Sequence, residues 1–570
     1  MMNFSPIFAC DGYKLDHRRQ YPKGTEYVYS NLTPRGSRVS GVNEIVFFGL
    51  QYFLNELQET WNYNFFMQKK SKVVSEYAAF LQSYLGPNTV GTEHIAALHD
   101  LGYLPVRIKA VKEGTLVPMR VPCLTIENTH PDFFWVTNFL ETTLSTSLWG
   151  MCTSATTAFQ YRKVFEEFHK KTVSDAANSF TLLQGHDFSY RGLPGVDAAA
   201  ASGAAHLTSF VGTDTLPAIL FLDKYYSADS RNNLVGTTVS ATEHSVMCLS
   251  TAIEGEYETF KRLISEVYPS GIVSIVSDSF DFWAVVTDFL PKLKDVIMAR
   301  DGKLVIRPDS GNPVDILCGT VADDLSNNPC CGTFEEACDF MKDVITESVK
   351  DSSGGQLMDV EASEAFQYDG KYYNLVVRFD WKKLANRHYI NSSVIKGVYE
   401  VHKTAEQKGL IECLWDIFGG TVTEKGYKVL DSHIGAIYGD SITLERQKEI
   451  LTRLQDKGFA SSNVVLGIGS YSYQYVTRDT YGFAVKATAA VVDGVEIPIF
   501  KKPKTDDGLK NSAKGYLAVF EDNGKLRLKD ELSRKEAEEG CLEEVFLNGN
   551  ITRNQTLSDI RNLINANLQR

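Results

Sequence analysis

The run LVIRPDSGNP at residues 304–313 places an arginine, an aspartate and a Ser-Gly pair directly after a short apolar segment. Arg307 offers a planar fork of donors that matches phosphate. Asp309 can accept ribose hydroxyls or hold a metal ion. Ser310-Gly311 exposes backbone N–H groups to an anion. The plainer alternative is an ordinary turn with a surface arginine, but a polar run at the end of a buried strand is where α/β enzymes collect their chemistry.

Other segments repeat the theme. Gly439-Asp440 and Gly467-Ile468-Gly469-Ser470 each follow an apolar run, and Arg478 comes shortly after the second. Glycine at such an end lets the backbone approach a ligand closely. Phe188-Ser189-Tyr190-Arg191-Gly192 combines an aromatic face that can stack on a planar base with a guanidinium that can hold phosphate. Asp214 ends SFVGTD. His244 follows Thr242-Glu243, where it can donate to a phosphate or be phosphorylated, with Asp278 able to orient it. Each also has a bland reading: Gly-x-Gly as a turn, Phe188 as core, and a lone histidine as a satisfied structural residue.

These residues recur at a near-constant step. Asp214 to His244 is 30 residues, His244 to Asp278 is 34, Asp278 to Asp309 is 31, and Asp440 to Ser470 is 30. One strand–helix unit takes roughly 30 residues. The apolar runs FTLLQ, SFV, LVGTTV, IVSIV, LVI, IGAIY and VVL therefore predict parallel strands of an irregular α/β barrel, TIM-like, over 151–490, with FAVKATAAVV carrying Lys486 as a further strand. The 131-residue step from Asp309 to Asp440 leaves about 100 residues beyond one unit. We read 318–408 as an insertion, with a capping box at Thr333 to Glu336 and a hairpin turn at Asp369-Gly370. Residues 1–150 predict an α+β domain, with a helix from Val46, strands at 106–111 and 123–127, and a helix over 133–149 ending near Gly150. Residues 491–570 are expected to pack on it. Gly458 is expected to cap the helix before it.

With 58 Lys and Arg against 71 Asp and Glu, the net charge of −13 argues against a nucleic-acid or anionic-membrane surface. The ten cysteines are dispersed without a C-x-x-C pair, and no secretory signal or membrane span is evident, so a soluble cytoplasmic protein is expected. No zinc spacing surrounds any of the 11 histidines, and neither a Walker loop nor a Rossmann fingerprint is present. The acidic-pair loop of the commoner phosphoribosyltransferase fold is also missing.

Taken together, ACDGYKLDHRRQYP (9–22), FFGLQYFLNEL (47–57), HDFSYRG (186–192), GTDT (212–215), EHS (243–245), VSDSFD (276–281), IRPDSGNP (306–313), YGDS (438–441) and TRD (477–479) resemble the nicotinamide phosphoribosyltransferases, type II phosphoribosyltransferases. The resemblance spans nearly the whole chain except the insertion. It implies transfer of phosphoribose from phosphoribosyl pyrophosphate to nicotinamide in NAD salvage, with Mg²⁺ and with ATP as co-substrate, in a homodimer whose active sites are shared. It implies that Phe188 stacks on nicotinamide, that Tyr13 of the partner subunit covers the other face with Asp11 nearby, and that Asp214 accepts from the carboxamide. Arg191, Arg307 and Arg478 would bind phosphate or diphosphate. Asp309, Gly439, Asp440, Gly469 and Ser470 would hold the ribose-phosphate part. His244 would be the phosphorylated histidine, with Asp278 orienting it. Lys486, Arg35 and Arg38 would be secondary phosphate contacts. One departure is Ser470, where the family carries a glycine within a Gly-rich run. Alternatives are a nicotinate phosphoribosyltransferase, a phosphate-binding barrel isomerase or aldolase using Lys486, and a non-catalytic sensor of phosphoribosyl pyrophosphate or the mononucleotide.

Overall fold

The computed structural model describes residues 4–86, 90–176, 180–320, 324–353, 360–439, 441–502 and 511–569. Asp440 lies outside the described residues. The chain divides into two compact units.

The first unit comprises 1–239, 439–448 and 464–570. Its antiparallel sheet runs Val495–Pro498, Phe483–Val492, Thr25–Pro34, Leu124–Asn128, Val106–Ala110, Glu543–Leu547, Asn550–Ile551. Strands from both ends of the chain thus pair antiparallel in one sheet, to which the 491–570 segment contributes Val495–Pro498, Glu543–Leu547 and Asn550–Ile551. Phe483–Val492 pairs antiparallel with Thr25–Pro34 over its whole length. This corrects its expected place among the parallel strands: the strand is buried along nearly its whole length, and such a near-continuous apolar run reads like a parallel-sheet strand. One apolar core, including Ile108, Ile126, Leu144, Phe483 and Phe546, fills this region.

Two further expectations need correction here. Val46 ends a short strand, Glu44–Val46, and the amphipathic helix is Leu50–Trp61, entered through Gly49 at φ 107°. The helix expected to stop near Gly150 instead runs Glu141–Thr172. A mid-helix glycine costs about 1 kcal/mol, and burial of Met151, Cys152, Ala155 and Phe159 directly after it outweighs that cost.

Also in the first unit, Val464–Ile468, Gly185–Asp187 and Gly212–Thr213 pair in parallel. FTLLQ is not a strand: Thr181–Gln184 forms a helical turn leading into Gly185. LVGTTV likewise makes only a bridge, Thr237 to Gly212.

The second unit comprises 240–438 and 449–463. Ile434–Tyr438, Asp301–Arg307, Ser270–Val276 and Ser240–Ala241 lie side by side in that order, all parallel. Gly458, at φ 77°, ends the helix before it: its N–H reaches Gln455 O, and the Phe459 N–H reaches Leu454 O.

The 318–408 segment carries helix Phe334–Ser353 and the meander Glu361–Tyr368, Lys371–Leu384, Arg387–Glu400. The Thr333–Glu336 capping box is present in both directions, at 2.9 and 3.2 Å. Asp369 and Gly370 form the hairpin turn at φ 50° and 73°. Ala337, Met341 and Ile345 face Phe366, Leu375 and Val377 in a small core of the segment's own. Its two ends meet. Gly319 lies against Gly409, whose φ of 75° kinks helix Ala405–Phe418, and the Thr320 N–H reaches Glu406 O at 3.0 Å. A side chain on either glycine would fall on the other strand of the neck. Among the described residues, no helix is long and apolar enough to cross a membrane.

Candidate active site

In the first unit, Phe188 follows strand Gly185–Asp187, and its N–H is held by Ile468 O at 3.1 Å. Its ring packs on His186 with centroids 4.5 Å apart. The other side is set by Gly467: a Cβ there would lie 2.7 Å from Phe188 Cδ2 and 2.8 Å from Gly439 O. Glycine is thus needed at 467 for close approach, with Gly439 backing it.

His186 Nε2 lies 2.9 Å from Asp214 Oδ1, and Thr238 Oγ1 donates to the same oxygen at 2.9 Å. Asp214 remains 45% exposed on its side chain. Beneath it, buried Asp187 accepts from Ser189 N–H and Oγ at 2.9 and 2.6 Å, which shapes the turn that carries Phe188. An aromatic ring, an imidazole and a carboxylate therefore converge at the ends of two adjacent parallel strands. His186, Thr238 and Asp187 were not singled out from the sequence. His186 sits inside a motif whose neighbours drew the attention, and a histidine within a strand reads as core.

Gly469 precedes helix Ser470–Gln474. Ser470 has no positive φ, so its side chain strains nothing in the backbone. Its Oγ lies over Gly192, where any Cβ would collide with it. Gly192 leaves the room that the Ser470 side chain fills. Arg191 is exposed on the 3₁₀ turn Tyr190–Gly192.

A second group in this unit is cationic. Lys486 Nζ lies 3.9 Å from Glu141. Burial and the charges of Arg35, Lys501 and Arg478 hold the Lys486 ammonium below the usual lysine range, despite that carboxylate. Arg35 and Arg38 are tied by their backbone N–H groups to Tyr481 O and Thr480 O at 3.1 and 2.9 Å, next to Arg478. This clustering of cations, offset in part by Glu141 and Asp479, is suited to an anion. Tyr13 is 64% exposed. Its hydroxyl reaches Asp11 Oδ2 at 3.4 Å, an oxygen that also accepts from Thr142 at 2.6 Å.

In the second unit, His244 opens helix His244–Glu254. His244 Nε2 lies 3.3 Å from Asp278 Oδ1, with side-chain exposures of 50% and 4%. Asp278 Oδ2 accepts from Asp309 N–H at 3.0 Å and Ser310 Oγ at 2.6 Å. Burial raises the Asp278 pKa, but these donors and His244 outweigh it and hold the carboxyl below the usual range. Arg307 Nη2 donates to Thr242 O at 2.6 Å, while its Nε is buried without a partner. Tyr438 Oη donates to the carbonyls of Ser310 and Gly311 at 2.9 and 3.0 Å, fixing the RPDSG turn. His244, Asp278, Arg307 and Asp309 are thus brought together at the ends of three adjacent strands.

Among the described residues, no group of three or more His, Cys, Asp or Glu side chains is placed to hold a metal. Mg²⁺ usually takes one or two carboxylates and fills its shell with water and substrate phosphate. Asp309, a carboxylate at a strand end, fits that pattern.

Strand-end chemistry on parallel strands, with an aromatic–carboxylate cluster and cationic groups, fits an α/β enzyme acting on phosphorylated substrates. The chain belongs to the nicotinate phosphoribosyltransferase (NAPRTase) family, whose description matches residues 183–549. The N-terminal domain of nicotinamide phosphoribosyltransferase matches residues 5–108. Nicotinamide phosphoribosyltransferase of Acinetobacter baylyi is 45% identical over 577 residues, covering 99% of this chain and 98% of that protein. The protein of the same name from Mycoplasma pneumoniae is 30% identical over 513 residues, covering 88% and 92%. Nicotinate-nucleotide pyrophosphorylase from Pyrococcus furiosus, a solved structure, superposes with a TM-score of 0.51 at 13% identity, covering 100% of this chain and 97% of that one. That likeness is one of fold.

Proposed function

We propose that the protein transfers phosphoribose from phosphoribosyl pyrophosphate to nicotinamide, releasing diphosphate and forming nicotinamide mononucleotide. The observation that carries this reading is the Phe188–His186–Asp214 cluster. Phe188 offers a stacking face for a pyridine ring. Asp214, oriented by His186 and Thr238, accepts from the carboxamide NH₂ and repels the carboxylate of nicotinate. Loss of a charged hydrogen bond of this kind costs roughly 1.5–3 kcal/mol, more than tenfold in affinity.

The bond from ribose C1 to diphosphate breaks as the pyridine nitrogen attacks C1, through a transition state with oxocarbenium character. Stacking and the Asp214 contact hold the base in line, so catalysis at this end is by positioning. Arg191, Arg307, Arg478 and Lys486 are assigned to the negative charge of the leaving group, and Arg35 and Arg38 to secondary phosphate contacts. Gly439, Asp440, Gly469, Ser470 and Asp309 hold the ribose phosphate. Mg²⁺, held by Asp309 together with the diphosphate, would supply further charge neutralisation. ATP phosphorylates His244, whose ring Asp278 orients, and this favours turnover. A homodimer completes the site: Tyr13 of the partner subunit covers the open face of the base, with Asp11 of the partner subunit beside it.

The test is to incubate the purified protein with nicotinamide, phosphoribosyl pyrophosphate and Mg²⁺, with and without ATP, and to assay mononucleotide and diphosphate. Product from nicotinate in preference to nicotinamide, or binding without turnover, would overturn the reading.

A further inference from the structure

Arg561 lies on the C-terminal helix Leu557–Leu568, far in sequence from the base pocket. Its guanidinium is spent on main-chain carbonyls. Nε donates to Leu207 O at 2.9 Å and Nη1 to Leu234 O at 2.9 Å. Nη2 donates to Val235 O at 2.6 Å and Phe210 O at 3.4 Å. Burial lowers its pKa to about 10, which marks a cation taken out of water.

The four carbonyls belong to two arms of chain that converge on one carboxylate. The first arm runs from Leu207 and Phe210 through strand Gly212–Thr213 into Asp214. The second runs from Leu234 and Val235 to Thr237 and Thr238. The arms are joined by Thr237 N–H to Val211 O at 2.7 Å and Thr213 N–H to Thr237 O at 3.0 Å. At their tips Thr238 Oγ1 donates to Asp214 Oδ1. Arg561 clamps the bases of both arms at once. Two residues of the second arm, Leu234 and Val235, have no regular secondary structure of their own to fix them.

We infer that Arg561 is a positioning residue for recognition of the base: by clamping both arms it sets Thr238 against Asp214 and so tunes selectivity for the carboxamide. The inference rests on the reading of Asp214 given above. Helix Leu557–Leu568 does not need Arg561 to stay docked, since Leu557, Ile560 and Ile564 are buried in the same apolar cluster as Leu207 and Val235. Loss of the guanidinium therefore loosens the arms rather than the helix. A lysine cannot replace it, because a single ammonium cannot span four carbonyls in two directions.

The experiment uses the full chain. Wild type, Arg561→Met, Arg561→Lys, Thr238→Val, Asp214→Ala and the Arg561→Met/Thr238→Val double variant are compared for kcat and KM with nicotinamide, nicotinate and phosphoribosyl pyrophosphate, well below each melting temperature. Arg561→Met should raise KM for nicotinamide about tenfold and narrow the preference over nicotinate, with kcat and KM for phosphoribosyl pyrophosphate within about twofold. In the Thr238→Val background the same change should cost less than about threefold, because both residues act through Asp214. Arg561→Lys should show the same split at smaller size, and it decides the matter if the methionine variant does not fold. A uniform fall in all parameters, or full additivity with Thr238→Val, would overturn the proposal while Asp214→Ala still abolishes base preference. Unchanged base preference in Asp214→Ala would instead remove the reading on which the proposal stands, and the proposal with it.

Discussion

Tyr473 and His206 are joined by a 2.7 Å hydrogen bond between buried side chains, and His206 Nε2 reaches Gly212 O at 3.0 Å. Helix Ser470–Gln474, at the Gly469–Ser470 end, is thereby tied to the strand that delivers Asp214. The geometry requires one tautomer: Nδ1 accepts from the tyrosine and Nε2–H donates to the carbonyl. Tyr473→Phe should leave a buried ring nitrogen unsatisfied and lower stability by about 1–3 kcal/mol. Urea denaturation measures this, and a midpoint equal to wild type would show that the link contributes nothing.

The same histidine makes stability depend on acid. Burial lowers the His206 pKa to about 4, and that of His94 also to about 4. In the unfolded chain both return to about 6.5. Between these values the unfolded state binds more protons, so stability is complete above about pH 6.5 and is lost as pH falls toward 4. The slope is at most about 1.4 kcal/mol per pH unit for each histidine. His206→Gln should flatten the profile between pH 6.5 and 4. Parallel profiles for the variant and the wild type, measured by denaturant titration at several pH values, would contradict this.

Gly467 carries a prediction about the aromatic wall. A methyl group there must displace either Phe188 or the backbone at Gly439, with contacts of 2.7 and 2.8 Å. Overpacking of this kind typically costs 1–3 kcal/mol. Gly467→Ala should raise KM for nicotinamide by roughly tenfold through the shifted ring, with a smaller effect on phosphoribosyl pyrophosphate. Steady-state kinetics with each substrate varied would reveal it, and equal effects on both would point to general damage.

What the sequence made legible follows from locality. Apolar runs ending in small or charged residues marked Asp214, Asp278, Asp309 and Gly469 at strand ends, because burial and strand termination are both written within a few residues. The capping box at Thr333 and the Asp369-Gly370 turn were readable for the same reason. His186 was not, since its part depends on Asp214, 28 residues away. Nor was Arg561, whose four acceptors are main-chain atoms that carry no sequence signal. The antiparallel pairing of Phe483–Val492 with Thr25–Pro34 was hidden because a strand buried along nearly its whole length reads like one of a parallel sheet. Gly150 misled because the cost of a glycine is local while the apolar contacts that overrule it are not.

Asp214 bears the prediction on substrate choice. Its Oδ1 is held by His186 and Thr238, so the carboxylate is oriented before any base arrives. Asp214→Ala should cost nicotinamide more than tenfold in kcat/KM and relieve the repulsion of nicotinate, so that the preference collapses from both sides. Asp214→Asn should fall between, because its amide can turn either an acceptor or a donor toward the ligand. The measurement is a competition between the two bases with separation of the two mononucleotides, and an unchanged product ratio would reject the role.

His244 supports a different kind of test, because its proposed part is coupling rather than base binding. It is half exposed and held toward a carboxylate that the Ser310 hydroxyl and the Asp309 N–H help to keep ionised. An ionised Asp278 orients the ring and stabilises positive charge on it, as a phosphoryl acceptor requires. His244→Ala should therefore abolish stimulation by ATP and consumption of ATP while leaving basal mononucleotide synthesis measurable. Asp278→Asn, which keeps the shape and removes the charge, should weaken the stimulation without touching the preference for nicotinamide. If ATP still accelerates product formation in His244→Ala, the phosphoryl group goes elsewhere, and the exposed imidazole is only a ligand for phosphate.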